Sequence, residues 1–244
     1  MTTPCRLFRL FPMHVSLFHD LFLKGIRQYE YDSIERKNDE PLIFKIYLEP
    51  LAKDDYGHPC DVGIDMPQYF YSRDEGSQVI KSTKSAYIRT YDSKIGNLLA
   101  IFAPKWVVPR IITALTIVAK RHDATIEEIV SPIFFKLGEK EEELRYEFFE
   151  VRRFWKKDIP DIYIRGAGIS GIRLQESPEY DKYINRMGGK LMSIVFKWSE
   201  TTILLSSDGL IFTYTDFKNN QEASQFFRSI ITKLERIELM DFFM

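Results

Sequence analysis

Cysteine is nearly missing from the 244-residue chain, which holds only Cys5 and Cys60. Two thiols so far apart cannot frame a stapled secreted scaffold, so the expected setting is reducing and cytoplasmic. No long apolar run is present either. Arg6, Arg9, His14, His19, Asp20 and Lys24 interrupt the apolar N-terminal stretch. What remains is shorter than the roughly 18 to 20 apolar residues a membrane span requires, and no small-residue cleavage site follows. Charge of one sign is missing as well: the net charge of -1 supplies no overall field for a polyanion or an anionic membrane, so such a partner needs a local patch. No C-x-x-C and no second histidine pair completes a zinc set.

Aromatic side chains are plentiful, with 19 Phe and 13 Tyr, enough to pack a sizeable core. Leu17, Phe18, Leu21, Phe22, Ile26 and Tyr29 recur on one face of a helix, so residues 1–40 read as an N-terminal helical segment. A first α+β unit is expected over 41–138. It opens on the strand-like "PLIFKIYLEPLA" and continues into a long loop, 53–85, punctuated by Gly57, Pro59, Gly63, Pro67 and Gly76. Beyond it "SAYIRTYDSKIGNLLAIFAP" reads as a hairpin, and a helix entered near Pro109 carries Val107, Val108, Ile111, Ile112, Leu115 and Val118. Thr125 and Glu128 have capping-box spacing for a further short helix, and "PIFFKLG" reads as a strand.

The second α+β unit is expected over 139–244. Its first segment, 139–157, fits either period, and the spacing of Leu144, Phe148, Val151 and Trp155 favours a helix. From 161 onward the pattern reads strand, helix, three strands and helix, with a hairpin turn at Asp208 and Gly209 and a capping box at Asn219 and Glu222. "IITAL" at 111–115 and "IITKL" at 230–234 each follow a hairpin, consistent with two related hairpin-plus-helix units. The expected class is therefore α+β, antiparallel sheet with helices packed on one face.

"IYIRGAGISGIRL" spells G-x-G-x-x-G at Gly166, Gly168 and Gly171. A dinucleotide turn needs a helix directly after the third glycine. Here Ile172 and Leu174 alternate with polar residues, and Pro178 would interrupt that helix at a cost of about 3 kcal/mol. The stretch reads instead as a strand bent by glycines, where another group approaches closely. His58, Cys60, Asp61 and Asp65 share one stretch but lack the further ligands of a metal site, and Glu35-Arg36-Lys37 lacks the strand context of a nuclease. No cofactor, metal or catalytic set is expected, and the balance leans away from an enzyme.

The charge layout is more informative. Residues 139–150 hold six acidic against two basic side chains, and residues 151–190 hold nine basic against five acidic. Arg152, Arg153, Lys156 and Lys157 flank Phe154 and Trp155, joining phosphate-pairing cations to stacking surfaces as nucleic-acid grooves do. Arg165, Arg173 and Lys190 extend the expected contact set. The functional expectation is a non-catalytic binding or assembly protein, a subunit of a nucleic-acid-handling complex contacting DNA or RNA backbone. A homo-oligomeric interaction module without nucleic acid is the alternative, with protein contacts through the aromatic ends "LFRLFPMHVSLFHDLF" and "LMDFFM". Third is an enzyme of unrecognised type, which would have to join His58 or Cys60 to distant acids.

Overall fold

The computed structural model describes residues 4–11, 28–31, 36–37, 40–55, 57–73, 76–93, 96–120, 124–128, 150–198, 200–206 and 210–236. Among them 54% lie in strands and 23% in helices, so the expected α+β class with helices packed on one face gives way to a mostly antiparallel sheet with three short helices. The chain divides into two compact units, Phe8–Glu127 and Met1–Leu7 with Glu128–Met244. The first strand, β1 (Cys5–Phe11), contributes residues to both.

In the Phe8–Glu127 unit the further strands are β2 (Gln28–Tyr31), β3 (Arg36–Lys37), β4 (Glu40–Pro41), β5 (Phe44–Pro50), β6 (His58–Ser72), β7 (Gly76–Ser93), β8 (Gly96–Phe102) and β9 (Thr125–Glu128). They run in the order β1-β8-β7-β6-β5-β2, with β9 on β1 and β3 paired to β4 as a separate ribbon. Most of the expected loop at 53–85 is in fact a long hairpin, β6 on β7, in register from His58 opposite Thr90 to Ser72 opposite Gly76. Prolines made it read as irregular, because a proline cannot donate to a ladder. Yet β5 pairs only with residues 60–64 of β6, and Pro59 and Pro67 both fall outside that stretch.

Alternate residues of this sheet face the core. Phe44, Ile46 and Leu48 of β5, Cys60, Val62 and Ile64 of β6, Ile88 of β7, and Leu99 and Ile101 of β8 cluster there. They meet Val108, Ile111, Ala114 and Leu115 of helix α1 (Val108–Lys120), the helix expected near Pro109. The expected helix at Thr125 to Glu128 is instead strand β9: a capping-box spacing nucleates no helix when the four residues gain a ladder on β1. Of the expected N-terminal helix, residues 17–26 lie outside the described residues, Tyr29 belongs to β2, and residues 5–11 form β1.

A buried ion pair helps anchor this unit. The Arg89 guanidinium, 1% exposed, pairs with both oxygens of Asp54, Nη2 donating to Oδ2 at 2.8 Å, and Nη2 also donates to the Tyr87 hydroxyl at 2.7 Å. Burial alone would lower its pKa, but the hydrogen bonds it donates to Asp54 and Tyr87 prevail and raise it, so the cation persists. Asp54 reaches Arg89 from a tight turn closed on Gly57, whose φ is +126° and where a Cβ would overlap the Thr90 carbonyl.

The second unit contains β10 (Glu150–Lys157), β11 (Gly166–Ser170), β12 (Lys190–Trp198), β13 (Thr201–Ser206) and β14 (Leu210–Thr213), in the order β11-β10-β12-β13-β14-β1. Helix α2 (Pro178–Asp181) continues into a π turn over Lys182–Arg186, and α3 (Asn220–Arg236) closes the described chain. The order expected from 161 onward is present. The N-cap half of the capping box is too, Asn219 Oδ1 accepting from the Glu222 amide at 2.8 Å, while the Glu222 carboxylate reaches one residue further back and accepts from the Lys218 amide at 2.8 Å. Residues 131–149, with the expected "PIFFKLG" strand, lie outside the described residues, but 150–157 is strand rather than helix. The misleading signal has an identifiable source. Val151 pairs Phe196 while Arg153 pairs Val195, leaving Arg152 as a bulge, so the two buried residues Val151 and Phe154 stand three apart and imitate a helical period.

Breaking one partner of a buried ion pair leaves an uncompensated charge. Asp54→Ala is therefore expected to lower unfolding free energy by about 3 kcal/mol in denaturant titration, whereas exchanging the exposed Lys105 for Ala leaves it within about 0.5 kcal/mol.

Candidate nucleic-acid interface

Cross-strand partners in an antiparallel sheet point to the same side, so the register assembles the candidate surface. Arg153 stands between Ser170 of β11 and Val195 of β12. Val195 continues to Leu204 of β13 and that to Phe212 of β14. In the next row Trp155 stands between Gly168 and Ser193, and Ser193 opposite Ser206. In the third, Lys157 stands between Gly166 and Lys190. Lys197, opposite Thr202, and Arg6, opposite Leu210, add two further cations to this side. Arg153, Lys157 and Lys190 are exposed and Trp155 is 43% exposed, whereas toward the middle of the sheet Arg6, Lys197, Leu204 and Phe212 are half-buried and Val195 is buried.

The opposite side holds the core. Phe154, Ile194, Phe196, Ile203, Leu205 and Ile211 are buried there. Phe154 meets Tyr180 of α2 edge-on at 5.9 Å, and Trp198 meets Phe226 of α3 at 5.4 Å. The helices thus lie on the side away from the cations.

Of the expected contact residues, the structure brings Arg153, Trp155, Lys157 and Lys190 together and leaves four apart. Lys156 points into the core side, 3% exposed, its Nζ donating to the Tyr183 carbonyl at 2.9 Å, and burial lowers its pKa. Arg152, on the bulge, pairs with Glu150 at 3.0 Å. Arg165 is exposed and precedes Gly166 at the end of the 158–165 loop. Arg173 lies beyond the other end of β11 in a left-handed conformation, φ +50°, its amide donating to Glu150 Oε1 and its guanidinium 3.9 Å from Glu176. Lys190 pairs with Asp158 at 3.9 Å, with both side chains largely exposed and little energy at stake. Arg6, Lys197 and Phe212 escaped the sequence reading because only the ladder brings them to this side. The alternation in "KLMSIVFKW" was the available hint for Lys197.

The glycine motif has a packing explanation. A Cβ on Gly168 would lie 2.7 Å from Trp155 Cε3, and one on Gly166 would lie 3.3 Å from Trp155 Cζ2. The six-membered ring of the indole lies across both glycines, whose missing side chains make the room. The third position, Gly171, gives way to Leu174 in the same manner, with 2.7 Å from a Cβ to Leu174 Cδ2. No helix follows Gly171 directly; a 3-10 turn at Leu174–Glu176 does.

The other sequence candidates separate. On β6, His58 and Cys60 face the core while Asp61 and Asp65 face the opposite side, because 58 and 60 differ in parity from 61 and 65. Burial pushes the Cys60 thiol up to about 12, which disfavours the thiolate form that nucleophilic chemistry needs. Asp65 is a satisfied buried carboxylate, accepting from the Lys45 amide at 3.1 Å and Thr83 Oγ1 at 2.8 Å, with Lys81 Nζ at 3.4 Å. Glu49 stands opposite Asp61 and, with burial as the larger cause, raises the Asp61 pKa. Among the described residues no group of three or more potential metal ligands occurs, and no helix is long and apolar enough to cross a membrane. Glu35 and most of both aromatic ends lie outside the described residues; of the first end, Leu7, Phe8 and Leu10 are buried on β1.

No protein-family model matches the chain, and no curated protein matches it in sequence.

The inward turn of Lys156 has a thermodynamic signature. Its folded pKa lies below 10.5, so just below pH 10.5 the native state binds fewer protons than the unfolded chain, and stability rises with pH through that window. Wild type is expected to gain stability relative to Lys156→Met as pH rises toward 10.5, read from paired denaturation curves. A pH-independent difference would place the ammonium in solvent.

Proposed function

We propose that this protein is a non-catalytic nucleic-acid-binding protein and that the sheet side carrying Arg153, Trp155, Lys157 and Lys190 is its contact surface. The observation behind this reading is that Arg153 and Lys157 of β10 and Lys190 of the neighbouring β12 stand about an exposed aromatic ring on the side away from the helices. By register Glu150 shares this side, opposite Lys197, where Arg152 engages it, and Asp158 lies 3.9 Å from Lys190 at its edge. A nearly neutral chain thus presents a local positive surface, the arrangement that phosphate neutralisation and counterion release require.

A second reading, self-association without nucleic acid, is favoured by the loop beside β11. Ile162 and Tyr163 are 86% and 91% exposed there, and Asp161 fixes the loop by accepting from the Tyr163 and Ile164 amides at 2.8 and 3.0 Å. Ordered exposed apolar side chains of this kind suit a protein contact.

Titration of labelled DNA and RNA against the protein at several salt concentrations tests the first reading. Binding is expected to weaken with salt, and combining Arg153→Ala, Lys157→Ala and Lys190→Ala is expected to lower the logarithmic salt slope by about 2, near 0.7 per lost phosphate contact. Lys156→Met leaves the slope unchanged. No binding at low salt overturns the reading. A stable oligomer that Ile162→Ser with Tyr163→Ser converts to monomer, measured by light scattering, establishes the second.

A further inference from the structure

Resting on that reading, we infer that Trp155 is a preformed stacking platform for an unpaired base, and that the ligand of this surface is single-stranded nucleic acid. The argument starts from the glycines. In register with Trp155 and its neighbour Lys157, β11 presents Gly168 and Gly166, and the indole lies across both. Backbone therefore supports one face of the ring, while 43% of the residue is open to solvent. A core tryptophan would be covered by side chains from a second layer; this one has a floor and no use in the core, which Phe154 fills from the other side.

A ring held this way has already lost its rotamer freedom on folding, so a partner that stacks on it does not bear that loss again. Flat aromatic surfaces of this kind accept any base, since every base has a π face, whereas the bases of a duplex are stacked on one another and present only edges. The charges flanking the ring favour a nucleotide over a protein aromatic. Arg153 and Lys157 lie two residues to either side of Trp155 along one strand side, each about 7 Å away along the strand. Cations before and after a stacked ring match a chain in which phosphates precede and follow each base.

The test uses the full chain with matched single strands of DNA and RNA, the corresponding DNA duplex, and an abasic deoxyribose-phosphate strand of the same length. Wild type is expected to bind the single strands about ten-fold or more tightly than the abasic strand. Trp155→Ala removes that advantage and leaves abasic binding unchanged; Trp155→Phe, which keeps a stacking ring, recovers most of it. The DNA and RNA arms show which sugar is preferred. Because a variant can fail through misfolding, tryptophan emission of folded protein supplies a second readout: quenching by single strands is expected to persist in Trp106→Phe and vanish in Trp155→Phe. Equal binding of abasic and base-bearing strands, or tighter binding of the duplex, overturns the stacking assignment while leaving salt-dependent nucleic-acid binding in place. Absence of binding to all four probes overturns both readings.

Discussion

The two-residue period of β10, together with its two register shifts, is the constraint from which the candidate surface follows. Arg153, Trp155 and Lys157 share one side because they are two apart, and Phe154 and Lys156 are thereby committed to the other. The bulge at Arg152 lets Val151 join Phe154 in the core instead of facing solvent. The second shift, between Trp155 and Lys156, places an extra residue, Met192, on β12 and so keeps Lys190 level with Lys157. A slip of one residue would exchange the sides and bury three groups that belong in water. The buried Lys156 shows that cost at one position, where its ammonium donates to a carbonyl on the π turn after α2.

Between β10 and β11 the dependence runs the other way. Strand β11 is short, contains two glycines and would be weak by intrinsic preference, since glycine gives up conformational freedom without a side chain to pack. The indole of Trp155 supplies the missing apolar cover, aromatic compensation for glycine across a strand pair. One contact thus serves the fold and the surface together: it holds β11 in place and sets the ring flat.

The Phe8–Glu127 unit spends its polar groups differently. Arg89 with Asp54 and Tyr87, and Asp65 with Thr83, Lys45 and Lys81, are engaged within the unit. Buried charge is tolerable when its hydrogen-bonding capacity is largely met, and here it fixes the turn before β6 and the face of the long hairpin. These side chains are occupied with the fold.

Much of the chain was legible in its residues, and the failures share one cause. Hairpins at 86–103 and 201–215, helix α1 and the capped α3 were readable because their signals are local: a polar turn between apolar runs, a capping side chain, a 3.6-residue stripe. The 53–85 stretch and β10 were not. Whether Pro59 and Pro67 break a strand depends on where β5 stops, and whether Val151 and Phe154 share a side depends on a bulge defined against β12. The same division applies to the candidate site. By itself the sequence determined a cluster of cations and aromatics at 152–157 and the absence of a helix pattern directly after Gly171. Tertiary structure alone decided that Lys156 turns inward, that Arg6 and Lys197 join the surface, and that the glycines are the floor of Trp155, because strand register is a relation between distant residues and no local pattern encodes it.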